Sequence, residues 1–246
     1  MTPPLELSVV VPAYNEEARL PRTLERIRNY LRCAHPASEI IVVDDGSTDR
    51  TAEAVRALQK EMPELRLLLN GENRGKGYSV RSGMLAARRA IALFTDADLS
   101  APIEEAEKLL DALGSADIAI GSRALDRRLI QVHQSRAREL VGILFNYMVR
   151  LATALPFEDT QCGFKAFRAD RARIVFEQQR IEDFGFDPEI LFLARRHNLR
   201  IVEIPVRWAH DPRTKLHVVR DSLRMFAGLW QIRWNAMTGR YPRRAK

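Results

Sequence analysis

Between residues 7 and 122, short apolar runs alternate with longer stretches of helical spacing. The runs are LSVVV (Leu7 to Val11), EIIVV (Glu39 to Val43), LRLLL (Leu65 to Leu69), IALF (Ile91 to Phe94) and DIAIG (Asp117 to Gly121). Largely apolar, β-branched runs of this length suit strands covered on both faces. The stretches between them carry helix signals, as in Glu16 to Leu31, where Leu20, Leu24, Ile27 and Leu31 recur at helical intervals. Five strands alternating with helices predict an α/β fold with a doubly wound, mostly parallel sheet and flanking helices. Ligands of such sheets bind beyond the carboxyl ends of the strands. Four of those ends are polar here: Tyr14 to Glu16, Asp44 with Asp45, Asp96 with Asp98, and Ser122 with Arg123.

The stretch TDADLS, Thr95 to Ser100, follows one of these strands. Residues i and i+2 of an extended strand point the same way, so Asp96 and Asp98 can close on one hard cation while Ala97 turns aside. Few ligands, all oxygen, suit Mg2+ or Mn2+ that keeps waters and shares substrate phosphates. A solvated turn is the plain alternative for the same three residues.

After residue 122 the pattern is less regular. Ser135 to Leu155 reads as a helix with Leu140, Leu144, Tyr147, Met148, Leu151 and Leu155 on one stripe and Val141, Phe145 and Val149 on a second. Asp159 to Phe167 reads as a loop entering a short strand, Asp187 to Arg196 as a helix, and Leu199 to Trp208 as a strand. His210 to Lys215 is a loop, and a last helix runs from about Leu216 to Met237. The formal net charge is +7, an excess mostly of arginine, which favours an acidic partner: nucleotide phosphates, anionic lipid or nucleic acid. Against nucleic acid, Asp96 and Asp98 would repel a phosphate backbone at the mouth of the crevice. Two cysteines without paired spacing, Cys33 and Cys162, suggest neither a disulfide framework nor a zinc site. MTPPLELS lacks the regions of a signal peptide, and no apolar run reaches the roughly 18 to 20 residues of a membrane span, so a cytoplasmic protein, soluble or peripheral, is expected.

VVVPAYNEE, IIVVDDGSTD, NRGKG, TDADLS, IGSR, DTQCGFK and IPVRW followed by HDPRTK stand in an order and spacing that resembles the inverting glycosyltransferases of family 2. More narrowly, they resemble the dolichyl- and polyprenyl-phosphate hexosyltransferases. The resemblance runs from about Leu7 to Ser222 and implies a GT-A domain over 1–240. Residues 1–122 would form its nucleotide-binding half and 123–240 an acceptor-side extension, with a basic tail at 241–246. It implies that Pro12, Tyr14 and Glu16 line the base and ribose, and that Asp44 or Asp45 accepts hydrogen bonds from the base. The same aspartates also suit a turn and a helix cap around Gly46. Lys76 is implied as a contact to the donor nucleotide, and Asp96 and Asp98 as ligands of a metal on its diphosphate. Ser100 stands where mannosyl-type relatives often have Gln, which points to the glucosyl branch and leaves a third protein ligand open.

On the acceptor side the resemblance implies Arg123, Arg136 and Arg138 for the acceptor phosphate. Asp159 or Gln161 would lie near the reacting centre with Lys165 beside it, and Arg213 and Lys215 on a loop closing over the diphosphate. The implied reaction is transfer of a hexose, UDP-glucose favoured, to a polyprenyl phosphate with inversion. A phosphate acceptor is already anionic and needs no general base. A saccharide hydroxyl, the rival acceptor, would need one, with Asp159 the candidate. A non-catalytic nucleotide-binding protein is the alternative of another class. The last helix, with Leu216, Val219, Leu223, Phe226, Trp230, Trp234 and Met237 at helical spacing and Arg220, Arg224 and Arg233 between them, suits the surface of an anionic membrane. The competing expectation is that both long helices cover the sheet or form a homodimer face.

Overall fold

The computed structural model describes residues 5–132, 136–211 and 218–242, with side chains described for all of these except 136–141 and 218–225. Strand β1 (Leu7–Ala13) leads to helix α1 (Leu20–Ala34), and β2 (Glu39–Asp44) to α2 (Thr51–Gln59). Strand β3 (Leu65–Leu69) leads to α3 (Lys76–Ala86), and β4 (Ile91–Thr95), through a 3-10 turn at Ile103–Glu105, to α4 (Ala106–Ala112). Then come β5 (Ile118–Ser122), β6 (Ile130–Val132) and α5 (Arg136–Thr153). The chain closes with β7 (Phe164–Arg168), α6 (Ala169–Gln178), α7 (Phe186–Arg196), β8 (Ile201–Pro205), β9 (Trp208–Ala209) and α8 (Val218–Met237).

The main sheet has the order β3-β2-β1-β4-β7-β5-β8. Every neighbouring pair is parallel except those of β7, which runs antiparallel between β4 and β5. A strand formed after residue 122 therefore sits inside the sheet begun before it. The expected strand Leu199 to Trp208 is divided at Val206 and Arg207: β8 completes the main sheet, and β9 pairs with β6 in a separate ribbon. Helix α6 and strand β6 carried no signal that stood out in the sequence.

Side-chain alternation in the strands builds a core on each face. Val9, Val11, Ile40, Val42 and Leu93 face the side covered by Leu20, Leu24 and Ile27 of α1 and by Leu109 and Leu110 of α4. Val10, Ile41, Val43, Ala92 and Phe94 face Val80 of α3, Val175 of α6 and Ile190 of α7. Helix α3 lies very close to the sheet because Gly83 sits over Val10 and Val43; a Cβ there would come within 3.0 Å of Val43 Cγ2.

Helices α5 and α8 pack on each other, with the rings of Phe145 and Phe226 5.3 Å apart. Their buried sides are Phe145 and Val149 on α5, and Leu229 and Ile232 on α8. Of the predicted stripe, Leu144, Tyr147 and Leu151 face outward, as do Trp230, Trp234 and Met237 on α8, whereas Leu155 joins the core and the side chain of Leu140 lies outside the described residues. The two helices thus cover the core with one side and leave an apolar surface on the other. Among the described residues no helix is long and apolar enough to cross a membrane.

Candidate active site

The polar ends of β1 and β2 are joined before any ligand is considered. Asn15, in the left-handed region (φ 54), donates its backbone N–H to Ser47 Oγ at 2.8 Å, and its Oδ1 accepts the N–H of Thr48 at 2.8 Å. Pro12 is half-buried and Tyr14 exposed at the rim. Glu16 donates its N–H to Thr51 Oγ1 at 2.7 Å, and its carboxylate holds the guanidinium of Arg19, which continues to Asp211 at 3.3 Å. Asp44 accepts the hydroxyl of Ser47. Asp45 is spent on the next loop: it accepts from Asn70 Nδ2 and the Gly75 N–H at 2.8 Å each, and from the Arg74 N–H at 3.2 Å. Gly46 (φ 69) lies so close to this loop that a Cβ would sit 2.7 Å from Asn73 N. Asp45 thereby shapes the NRGKG turn. Asp49 caps α2 from just outside it, accepting the Thr51 N–H at 3.0 Å.

Asp96 and Asp98 are not on an extended strand. Strand β4 stops at Thr95, the Leu99 N–H closes a turn on Asp96 O at 3.1 Å, and Leu99 takes a positive φ of 47°. The alternation survives the turn: Asp96, Asp98 and Ser100 are half-buried while Ala97 and Leu99 are buried. Burial, and then the charge of Asp96, push the Asp98 carboxyl above its usual range, against hydrogen bonds from Ser100. Ser100 gives Asp98 its N–H at 2.9 Å and its hydroxyl as well, so it steadies that carboxylate. Lys76, the first residue of α3, places Nζ 2.6 Å from Asp96 Oδ1. Burial would lower the Lys76 ammonium, but the charges of Asp96, Asp187 and Asp98 outweigh it and raise it.

The donor set is hard oxygen, and the charge of Asp96 adds to burial in raising Asp98, a repulsion that a cation would relieve. Among the described residues no group of three or more His, Cys, Asp and Glu is arranged around an ion. The pair therefore fits a magnesium-like ion that keeps waters and substrate oxygens.

Beyond the end of β5 lies a cavity of about 310 Å³. Arg123 and Asp159 form its inner wall, Arg127, Gln161 and Trp208 its sides, and Ile143, Asn146, Tyr147 and Arg150 of α5 its outer rim. Arg123 forks onto Asp159 through Nε–Oδ2 (2.6 Å) and Nη2–Oδ1 (2.8 Å) and adds its own N–H to Oδ2 at 3.0 Å. The Gln161 N–H donates to Oδ1 at 3.1 Å. Burial would raise Asp159; the Arg123 charge and hydrogen bonds prevail and hold it at about 2. The loop itself is held by Glu203 of β8, whose carboxylate accepts the N–H groups of Asp159 (2.7 Å) and Glu158 (2.9 Å). Burial pushes the Cys162 thiol up to about 12, which fits packing. One residue on, a Cβ on Gly163 would lie within 2.6 Å of the Asp96 carboxylate oxygen Oδ1. Residues 159–163 thus run from the cavity wall to the Asp96 carboxylate.

Lys165 is a correction. Its side chain is fully buried inside β7, where Nζ pairs with Asp187, donates to Cys162 O at 2.6 Å and lies 5.3 Å from the Phe94 ring centre. It does not line the cavity, although its charge helps to lower Asp159 on the cavity wall. Arg136 and Arg138 open α5 with side chains outside the described residues, and Arg213 and Lys215 lie outside them altogether. Sequence reasoning passed over Arg19, Asn146, Glu203 and Asp187. Each makes at least one contact to a residue distant in the chain, which no local motif displays. Trp208 ends the motif IPVRW, to which the sequence assigns no contact of its own.

The sheet order, the flanking helices and the polar strand ends define a GT-A fold. The chain belongs to glycosyl transferase family 2, whose family model matches residues 8–171. It is 38% identical to the dolichyl-phosphate beta-glucosyltransferase of Drosophila melanogaster, covering 94% of this chain and 75% of that protein. To the human enzyme of the same name it is 35% identical, covering 97% and 78%. Among solved structures, glucosyl-3-phosphoglycerate synthase from Mycobacterium tuberculosis with Mn2+, UDP and glucosyl-3-phosphoglycerate superposes with a TM-score of 0.66. That match has 19% identity and covers 93% of this chain and 80% of the other.

Proposed function

We propose that this enzyme passes glucose from UDP-glucose to the phosphate of a polyprenyl carrier, inverting the anomeric centre to a β-linked product. The observation that carries the reading is the Arg123–Asp159 pair on the cavity wall. A hydroxyl acceptor needs a base to take its proton. Asp159 is held at about 2 with both oxygens on Arg123, and Glu158, the other carboxylate at the cavity, is paired with Arg150 at 2.8 Å. With both engaged, the nucleophile has to bring its own charge. A phosphate monoester does so, since its second ionisation falls near pH 6. Relatives named for transfer to dolichyl phosphate support this acceptor. So does the cavity rim, where Ile143 and Tyr147 belong both to the cavity and to the exposed apolar side of α5.

In this reading Pro12, Tyr14, Glu16 and Asp44 line the uridine, Asp45 shapes the loop beside it, and Lys76, Arg213 and Lys215 meet the diphosphate. Arg123 receives the acceptor phosphate with Arg136 and Arg138, and Gln161 borders the reacting centre. Asp96 and Asp98 would hold Mg2+ or Mn2+, which supplies Lewis-acid stabilisation for charge growing on the departing diphosphate. The exposed stripes of α5 and α8 rest on the cytoplasmic face of a membrane, bringing the cavity to the lipid.

The test is transfer of radiolabelled glucose from UDP-glucose, with Mn2+, to a polyprenyl phosphate and to a panel of phosphate-free saccharides. Label is expected on the lipid phosphate alone, in β linkage. Comparable transfer to a saccharide would overturn the acceptor, and an α-linked product the inversion.

A further inference from the structure

Asp96 is hemmed in on two sides. On one flank the Lys76 ammonium lies 2.6 Å from Oδ1. On the other, Gly163 leaves room for the carboxylate and nothing more. Lys76 has little freedom to start elsewhere, because α3 begins in a tight corner. Gly75 (φ 108) and Gly77 both abut the backbone of residues 181–183, where added Cβ atoms would fall 2.5 Å from Glu182 O and 2.7 Å from Ile181 O. Nor is Lys76 needed to neutralise Asp187, which already has the fully buried Lys165 as its partner. Its charge is thus directed at the carboxylate pair. An ammonium and a divalent ion cannot share one carboxylate oxygen without strong repulsion at contact distance.

Resting on the reading that Asp96 and Asp98 hold the metal, we propose that Lys76 competes with the divalent ion for Asp96, and that the donor's diphosphate relieves the competition by accepting the ammonium. Lys76 is then a positioning residue that makes metal binding depend on the nucleotide. By linkage, the metal raises nucleotide affinity by the same factor as the nucleotide raises metal affinity. The diphosphate suits this exchange because it brings enough negative charge for both cations to remain in the site together. The order of events at the carboxylates is set by a lysine at the start of α3.

The experiment measures Mn2+ binding by calorimetry and by loss of the free-ion EPR signal, with and without UDP, after subtracting the UDP–Mn2+ complex formed in solution. Native protein is compared with Lys76→Gln and Lys76→Arg, with Lys76→Ala replacing the glutamine variant should that fail to fold. In native protein UDP should tighten Mn2+ binding at least about tenfold, within the range of coupled sites. In Lys76→Gln, Mn2+ without UDP should bind roughly tenfold tighter than in native protein and UDP should add little, while Lys76→Arg keeps the native pattern. Coupling in native protein with Lys76→Gln no tighter for Mn2+ alone would overturn the proposal and leave the metal reading standing. A native protein that takes up no Mn2+ with or without UDP would remove both.

Discussion

The Arg123–Asp159 pair shows how one contact decides what a carboxylate can do. Read from the sequence, Asp159 in DTQCGFK is as good a base as any aspartate, and its disqualification depends on Arg123 lying 36 positions away. The pair also has a pH signature. A carboxyl held at about 2 when folded and near 3.8 when unfolded stabilises the fold fully above about pH 4 and loses that contribution as pH falls towards 2. The expected contribution is about 2 kcal/mol, from linkage over that interval. In urea titrations, Asp159→Asn should differ most from the native protein above pH 4 and converge with it near pH 2. A gap that persists at pH 2 would mean that the carboxylate's charge is not what stabilises this loop. Asp96 and Asp98 could be singled out in the sequence because the two carboxylates stand only two positions apart. Lys165 was misread because the strand alternation that turns it inward becomes visible only once β7 has both neighbours.

Helices α5 and α8 mark what periodicity can and cannot say. Their apolar residues were countable in the sequence, but each helix has two apolar sides, and which one meets the core is a matter of packing. The structure buries Phe145 and Val149 and leaves Leu151 68% and Trp230 79% exposed. Exposed aromatic and aliphatic side chains on packed helices favour a lipid interface, where tryptophan sits at headgroup level. Replacing Trp230 and Trp234 with serine should leave thermal unfolding within a few degrees of native, because surface changes of this kind cost roughly 0.5 kcal/mol or less. Flotation with vesicles containing anionic lipid should fall several-fold. Unchanged flotation, with a change of oligomeric state in light scattering, would assign the stripe to a second copy of the chain instead.

At the level of the whole molecule, the alternating pattern of the first 122 residues was enough to foresee the doubly wound sheet, because five covered strands with helical connections have few other solutions. It did not foresee β7, a short run of ordinary composition whose place depends on everything around it. That placement bears on how the chain comes off the ribosome. Strand β5 has no hydrogen-bonded neighbour among the strands made before it; its partners are β7 and β8. Until residues 164–168 emerge, β4 carries an open edge and β5 has nothing to join, a state prone to edge-to-edge aggregation. A fragment ending at Ser122 should accumulate in inclusion bodies when produced alone, and should become soluble when residues 123–246 are co-produced from a second message. Soluble, monomeric accumulation of the fragment alone would show that the first 122 residues can wait unaided. Otherwise β7, the strand that fills the gap between β4 and β5, is also the one that releases the earlier strands from chaperone care.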